Sequence, residues 1–163
     1  FGDWADELWN AGKDEYTLAA VRDTSVLNSL YPREDKKFIR VKVLRNGEPI
    51  GWAVGLATPM SGHKQFGNMK VGTVVDGFSL PEDALDVTCC ARDALALRHV
   101  DVIVSNQSHD AWSNALNRCG FRHGPTNFLF AVSPKLARLV PAFPDALVAF
   151  HLNRGDGDGP IHL

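Results

Sequence analysis

The stretch Phe38-Ile39-Arg40-Val41-Lys42-Val43-Leu44-Arg45 alternates apolar and basic side chains almost without interruption. A period of two lays one set on a buried face and the other in water, which a helix cannot do. Asn46-Gly47 follows, the pair favoured where a two-residue turn needs positive φ. Ile50 to Ala57 then returns as a mainly apolar run. This antiparallel hairpin commits the chain to a sheet. The remaining residues must extend that sheet and cover it with helices.

A length of 163 residues suits one domain. A domain of this size buries roughly 70% of its unfolded surface and needs no metal or disulfide staple. Net charge is 17 − 19 = −2, which gives no sign of general nucleic-acid affinity. No apolar run reaches the ~18–20 residues of a membrane helix. Neither nucleic acid nor membrane is therefore expected as a partner. The three cysteines are odd in number, with Cys89 and Cys90 adjacent inside a helical pattern. Neither a zinc site nor a disulfide framework is expected, and a reducing cytoplasm is the simplest compartment. Phe1 is not a start methionine and the first ten residues are acidic rather than signal-like. The chain is thus read as cut from a longer protein, whose second domain is a candidate partner.

Along the chain, Asp3–Asn10 carries Trp4, Leu8 and Trp9 at helical spacing, and Gly12 stops it. A short helix runs from about Arg22 to Leu30, closed by Tyr31-Pro32. Thr58–Asn68 is a loop and Met69–Phe78 a third strand. Ser79-Leu80-Pro81-Glu82 has the form of a capping box opening a helix to about Leu97. A short apolar strand lies within His99–Ser105. Strand, helix, strand over this length predicts parallel pairing of the third and fourth strands with a right-handed crossover. Ser108 caps a helix from His109 to Cys119, and Gly120 ends it. Phe121 and Asn127–Ser133 form last strands. Pro134–Val148 keeps some helical pattern, and the Gly/Asp-rich end is a flexible tail.

In this order the elements resemble the GNAT acyltransferase superfamily over about Arg22 to Ser133. Gly47-Glu48-Pro49-Ile50-Gly51-Trp52 is similar to the family's second hairpin. Asn106, with Ala115-Leu116-Asn117-Arg118-Cys119-Gly120-Phe121, is similar to its last helix, which ends in Gly-Phe. Arg22-Asp23, Leu27, Tyr31-Pro32 and the tail's Gly-Asp-x-Asp resemble GNAT-like halves of larger bacterial cell-envelope and polysaccharide proteins. The resemblance implies an α/β (α+β) three-layer domain with a twisted mixed sheet and parallel central strands that splay apart. It divides the chain into an entry helix and linker (1–21), the acyltransferase-like domain (22–133) and a C-terminal extension (134–163).

By the same resemblance the pantetheine arm of acyl-CoA, the co-substrate, enters between the splayed strands. Its pyrophosphate meets the start of the following helix, an anion site in principle. Phe78, Ser79, Leu80, Ala84, Ser105 and Ser108 are the residues so placed. Asp76 is the candidate base, or else a strand-end carboxylate paired with a cation. Asn106 is the candidate for holding the thioester, or else a turn residue. His63 and Lys64 sit on the loop that would cover an amine or amino-sugar acceptor, or else form a solvated tip.

Two departures stand out. Leu80-Pro81-Glu82-Asp83-Ala84-Leu85 has neither the glycines nor the basic residue of the family's pyrophosphate loop. Glu82, Asp83 and Asp86 instead crowd the helix start, where they suit the helix dipole but would repel a pyrophosphate, two like charges ~6 Å apart costing a few kcal/mol at an effective dielectric of ~20. Leu116 stands where many members carry a tyrosine acid. The reading is an acyl-CoA N-acyltransferase acting on a small amine or amino sugar. The alternative is a non-catalytic GNAT-fold module that has lost its pyrophosphate loop. An aminoacyl-tRNA-using relative is a third possibility, disfavoured by the acidic balance. Asp156 and Asp158 form too short a run for a calcium loop.

Overall fold

A computed structural model describes residues 1–124, 131–140 and 149–157. Four strands form the main sheet in the order β2-β3-β4-β5: Ile39–Arg45, Glu48–Pro59, Lys70–Ser79 and Val102–Ser105. The β2–β3 and β3–β4 pairings are antiparallel, and β5 lies parallel to β4. Helices α1 (Asp3–Gly12) and α2 (Thr24–Leu30) lie on one face. Helix α3 (Ala84–Ala96) lies on the other, beside α4 (Asp110–Arg118). The expected mixed sheet, the parallel βαβ crossover and the two covering layers are all present. A further short pair joins β1 (Leu18–Ala19) in parallel to β6 (Phe150–His151). Helix α5 is a single turn, Pro134–Ala137.

Local chemistry explains these elements. Asn46 and Gly47 have φ of 53° and 89°, so the β2–β3 turn takes the positive-φ form that the Asn-Gly pair favours. Gly51 has a different reason. A Cβ there would sit 2.3 Å from Val87 Cγ2 and 2.9 Å from the Phe78 carbonyl oxygen. The missing side chain lets α3 rest directly on β3. Asp23 caps α2 by accepting from the Val26 N–H at 2.8 Å. At the end of α4, the Phe121 N–H bonds the Leu116 carbonyl and the Gly120 N–H that of Asn117, with Gly120 at φ 91°. This is a Schellman ending, so Phe121 closes a helix and begins no strand.

Several expectations need correction. Ser79 does not cap the helix that follows: its Oγ donates to the Leu80 carbonyl at 2.7 Å. A 3₁₀ turn, Pro81–Asp83, leads into α3 instead. His109, not Ser108, caps α4, its Nδ1 accepting from the Ala111 N–H. The strand expected over Asn127–Ser133 and the helical pattern reaching Val148 fall largely outside the described residues. The tail is tied down through Asp156, because Arg154–Asp156 forms a 3₁₀ turn capped by Asn153.

The cysteines also depart from expectation. Cys89 on α3 and Cys119 at the end of α4 form a disulfide, their Cα atoms 5.8 Å apart, while Cys90 is free and exposed. Only the packing of α4 on α3 brings these two together, which spacing in the sequence could not reveal. The cross-link closes a loop with a sequence separation of 30, for which chain entropy gives stabilisation on the order of 3–4 kcal/mol. Replacing both cysteines by serine should lower the unfolding free energy by about that amount. Denaturant titrations of the pair variant and of wild type, with and without reductant, check this.

Candidate functional site

The site begins with an irregularity in β4. Val54 opposes Asp76 and Gly55 opposes Val74, which leaves Val75 as an extra residue. Such a bulge bends a strand and re-aims its side chains. Pairing between β4 and β5 spans only Val71–Val74 against Val102–Ser105. Beyond it β4 continues to Ser79 against β3 alone, and the two parallel strands part. Asp76, Phe78 and the β4 terminus line one side of the resulting cleft. Ser105, Asn106 and Ser108 lie at or just past the end of β5 on the other, and Trp112 of α4 packs against the His151 ring.

The cleft is filled by the chain itself. The Tyr16 hydroxyl donates to the Ser79 carbonyl at 2.7 Å and accepts from Trp112 Nε1 at 3.0 Å. This staple runs from the end of β4 to α4. His151, 1% exposed, lies with its ring centroid 4.6 Å from Tyr16, 5.3 Å from Trp112 and 5.7 Å from Phe78. Its backbone is held on both sides. Thr17 donates to the Ala149 carbonyl, Leu152 donates to Ser108 Oγ, and Ser108 donates to the carbonyls of Leu152 and Phe150. Gln107 bridges to Asn153.

Asp76 anchors the polar centre. It is 2% exposed and accepts from Arg22 Nε at 3.0 Å, Tyr31 Oη at 2.8 Å and Asn153 Nδ2 at 2.6 Å. Its own strand adds the Gly77 N–H at 2.7 Å. Arg22, 1% exposed, also grips both oxygens of Asp156 through Nη2, at 2.8 and 2.7 Å. Two carboxylates share one guanidinium. They hold Arg22 charged and raise its pKa against the pull of burial. Asp156 is pushed up by burial first, and nearby Asp76 adds to this, because Arg22 only partly compensates a second carboxylate. Burial raises Tyr31 far above a free phenol, and the adjoining Asp76 raises it further, so Tyr31 stays a donor. Burial pushes Tyr16 up to about 12.

His151 is held well below the usual imidazole range by burial, and the positive charge of Arg22 adds to this; the Gly77 backbone works weakly the other way. Among the described residues, Ser105 Oγ and Gln107 Nε2 have no hydrogen-bond partner. Each such buried atom costs about 1–3 kcal/mol, so the filling of the cleft is imperfectly satisfied.

The other residues named from sequence are divided between the cleft and more distant parts of the fold. Phe78 is fully buried against Trp9 and Tyr16. Ala84 is in the core and Leu80 is half-buried at the 3₁₀ turn. Asn106 is half-buried just past β5. Asp83 and Asp86 both meet Arg45 Nη2, at 2.7 and 2.6 Å, which offsets part of the negative charge at the start of α3. His63 folds back on its own loop, Nδ1 accepting from the Gln65 and Phe66 amides, while Lys64 is exposed. That loop follows Pro59 and precedes Lys70, so it lies about 20 Å along β4 from Asp76. The structure does not bring it to the cleft. Sequence reasoning missed Tyr16, Tyr31, Asn153, His151 and Asp156. The one available signal was a histidine set between Phe150 and Leu152. Among the described residues no cluster fits a metal ion, and no helix is long and apolar enough to cross a membrane.

Solved structures place this architecture. The chain is similar to aminoglycoside 6′-N-acetyltransferase AAC(6′)-Iy in complex with a CoA-based bisubstrate analogue, at 12% identity and a TM-score of 0.54, covering 78% of this chain and 90% of that one. The apo enzyme AAC(6′)-IG from Acinetobacter haemolyticus matches at 12% identity and 0.54, over 82% and 95%. A ribosomal-protein-alanine N-acetyltransferase from Brucella melitensis biovar Abortus 2308 matches at 9% and 0.54, over 80% and 92%. The chain therefore has the fold of the GNAT N-acetyltransferases. No family model and no curated protein matches its sequence.

Two outcomes are expected of the polar centre. Arg22→Met strands two buried carboxylates and should destabilise the fold by about 3–5 kcal/mol, as breaking a buried pair does. Adding Asp156→Asn should recover part of that loss in denaturant titrations. His151 has a native pKa below its unfolded value of about 6.5. The native state therefore binds fewer protons below that pH, and its stability falls as pH drops through 6.5, by at most about 1.4 kcal/mol per unit. Burial also lowers His109, which adds the same sign. His151→Phe should show a shallower fall between pH 7.5 and 5.5 than wild type.

Proposed function

We propose that this chain is an acyl-CoA-dependent N-acyltransferase domain whose acceptor is a small amine or amino sugar. The observation that carries the reading is the bulge at Val75, where β4 and β5 part around a buried carboxylate. A scaffold gains little stability from a buried Arg–Asp–Asp cluster, since desolvation offsets most of the attraction. Charged groups of this kind gather where chemistry needs them. The solved relatives that bind CoA or a CoA-based analogue supply the co-substrate class. In this reading Asp76 takes or positions the ammonium proton of the acceptor, with Tyr31 and Arg22 fixing its carboxylate. Asn106, Ser105 and Ser108 face the thioester arm from one side, and Phe78, Ser79, Leu80 and Ala84 from the other. His63 and Lys64 would touch only an acceptor long enough to reach along β4.

As folded, the residues do not accommodate acyl-CoA. Tyr16 and His151 occupy the place of the arm, and Pro81, Glu82 and Asp83 stand where the pyrophosphate would lie. No transfer step is therefore derived. These same facts, with Leu116 in place of an acid, favour a second reading: a GNAT-fold module that binds a partner without catalysis. Calorimetric titration with CoA, followed by transfer of radiolabelled acetyl groups from acetyl-CoA to amino-sugar acceptors, separates the two. CoA binding followed by transfer supports the first reading. A protein that binds no CoA, as wild type or as Asp156→Asn, is the second kind.

A further inference from the structure

We propose that residues 149–156 are an intramolecular competitor for the acyl-CoA cleft, and that the thioester arm enters only when this segment leaves. The proposal rests on the acyltransferase reading above. The segment lies where the arm would lie: Thr17 and Ser108 bond it from opposite sides, and the His151 ring packs between Phe78 and Trp112. Its lock uses the same carboxylate that the reaction would use. Asn153 donates to Asp76, and Asp156 takes Arg22, which also donates to Asp76 and to the Ala20 carbonyl. While the segment is seated, Asp76 has no face open to an acceptor.

Two features mark this as an exchangeable fit. Among the described residues, Ser105 Oγ and Gln107 Nε2, at the strand end that bridges to Asn153, remain without partners, whereas an amide-bearing arm brings donors and acceptors of its own. The lock also depends on Gly155. A Cβ there would stand 2.5 Å from Tyr31 Oη and 3.2 Å from Asp76 Oδ2, so a larger residue forces the segment and the Tyr31–Asp76 pair apart. A closed majority state reduces apparent affinity by the fraction of molecules that are open. Loosening the lock should therefore tighten CoA binding.

The test uses the full chain as wild type, Asp156→Asn and Gly155→Ala. CoA affinity is read by calorimetry, and hydrogen exchange is followed at the Thr17, Leu152 and Asn153 amides with and without acetyl-CoA. Both variants should bind CoA at least about tenfold more tightly than wild type. In wild type, saturating acetyl-CoA should speed exchange at those amides by about tenfold or more. Equal affinity in all three proteins, with the amides still protected under acetyl-CoA, overturns the competition and leaves the acyltransferase reading standing. Absence of CoA binding in variants whose segment exchanges freely overturns that reading, and the competition with it. Variants that bind no CoA and keep the segment protected overturn the proposed lock. Should either variant lose its near-ultraviolet circular dichroism, wild-type exchange decides alone: release on acetyl-CoA supports the proposal, and continued protection overturns it.

Discussion

The guanidinium of Arg22 holds three distant parts of the chain to one point. It lies just before α2, pairs with Asp76 in the middle of β4, and clasps Asp156 near the C-terminus. The sequence separations are 54 and 134 residues. A buried cation with two anionic neighbours must be fully surrounded by acceptors or it becomes a liability. The Ala20 carbonyl completes that surround, while Tyr31 and Asn153 satisfy Asp76 by donating to it. The positions of α2, of the bulged strand and of the C-terminal segment therefore depend on one another.

The same constraint decides what the cleft is. Parting of β4 and β5 after Val74 and Ser105 exposes strand edges that something must cover. In this conformation the cover is the chain's own: Tyr16 spans from Ser79 to Trp112, and His151 fills the space between the layers. A sheet that opens and is then closed by a terminal segment is both a stable fold and a site with an occupant. The solved acetyltransferases share the frame; in this chain the start of α3 is acidic and tied to Arg45.

Much of the frame could be read in the residues because its causes are local. Apolar–basic alternation in β2 and the Asn46-Gly47 turn specify a hairpin with no help from elsewhere. Gly120 ends α4 through its own backbone freedom. Where competing local options were close in energy, the reading erred. Ser79 and Ser108 looked like helix caps, but Ser79 bonds the next carbonyl and Ser108 bonds the C-terminal segment. Phe121 looked like a strand and instead closes a Schellman motif.

The site was legible at Asp76 and at the end of β5, in each case only as residues of a strand or of the turn after it. Hydrophobic period, turn chemistry and helix stops determine which segments become strands and helices, since each acts within a few residues. The partners of Asp76, the bulge at Val75, the Cys89–Cys119 link and the filling of the cleft by His151 were decided by tertiary structure. Each joins residues far apart in sequence, and pairing across such distances depends on how layers pack rather than on any pattern along the chain.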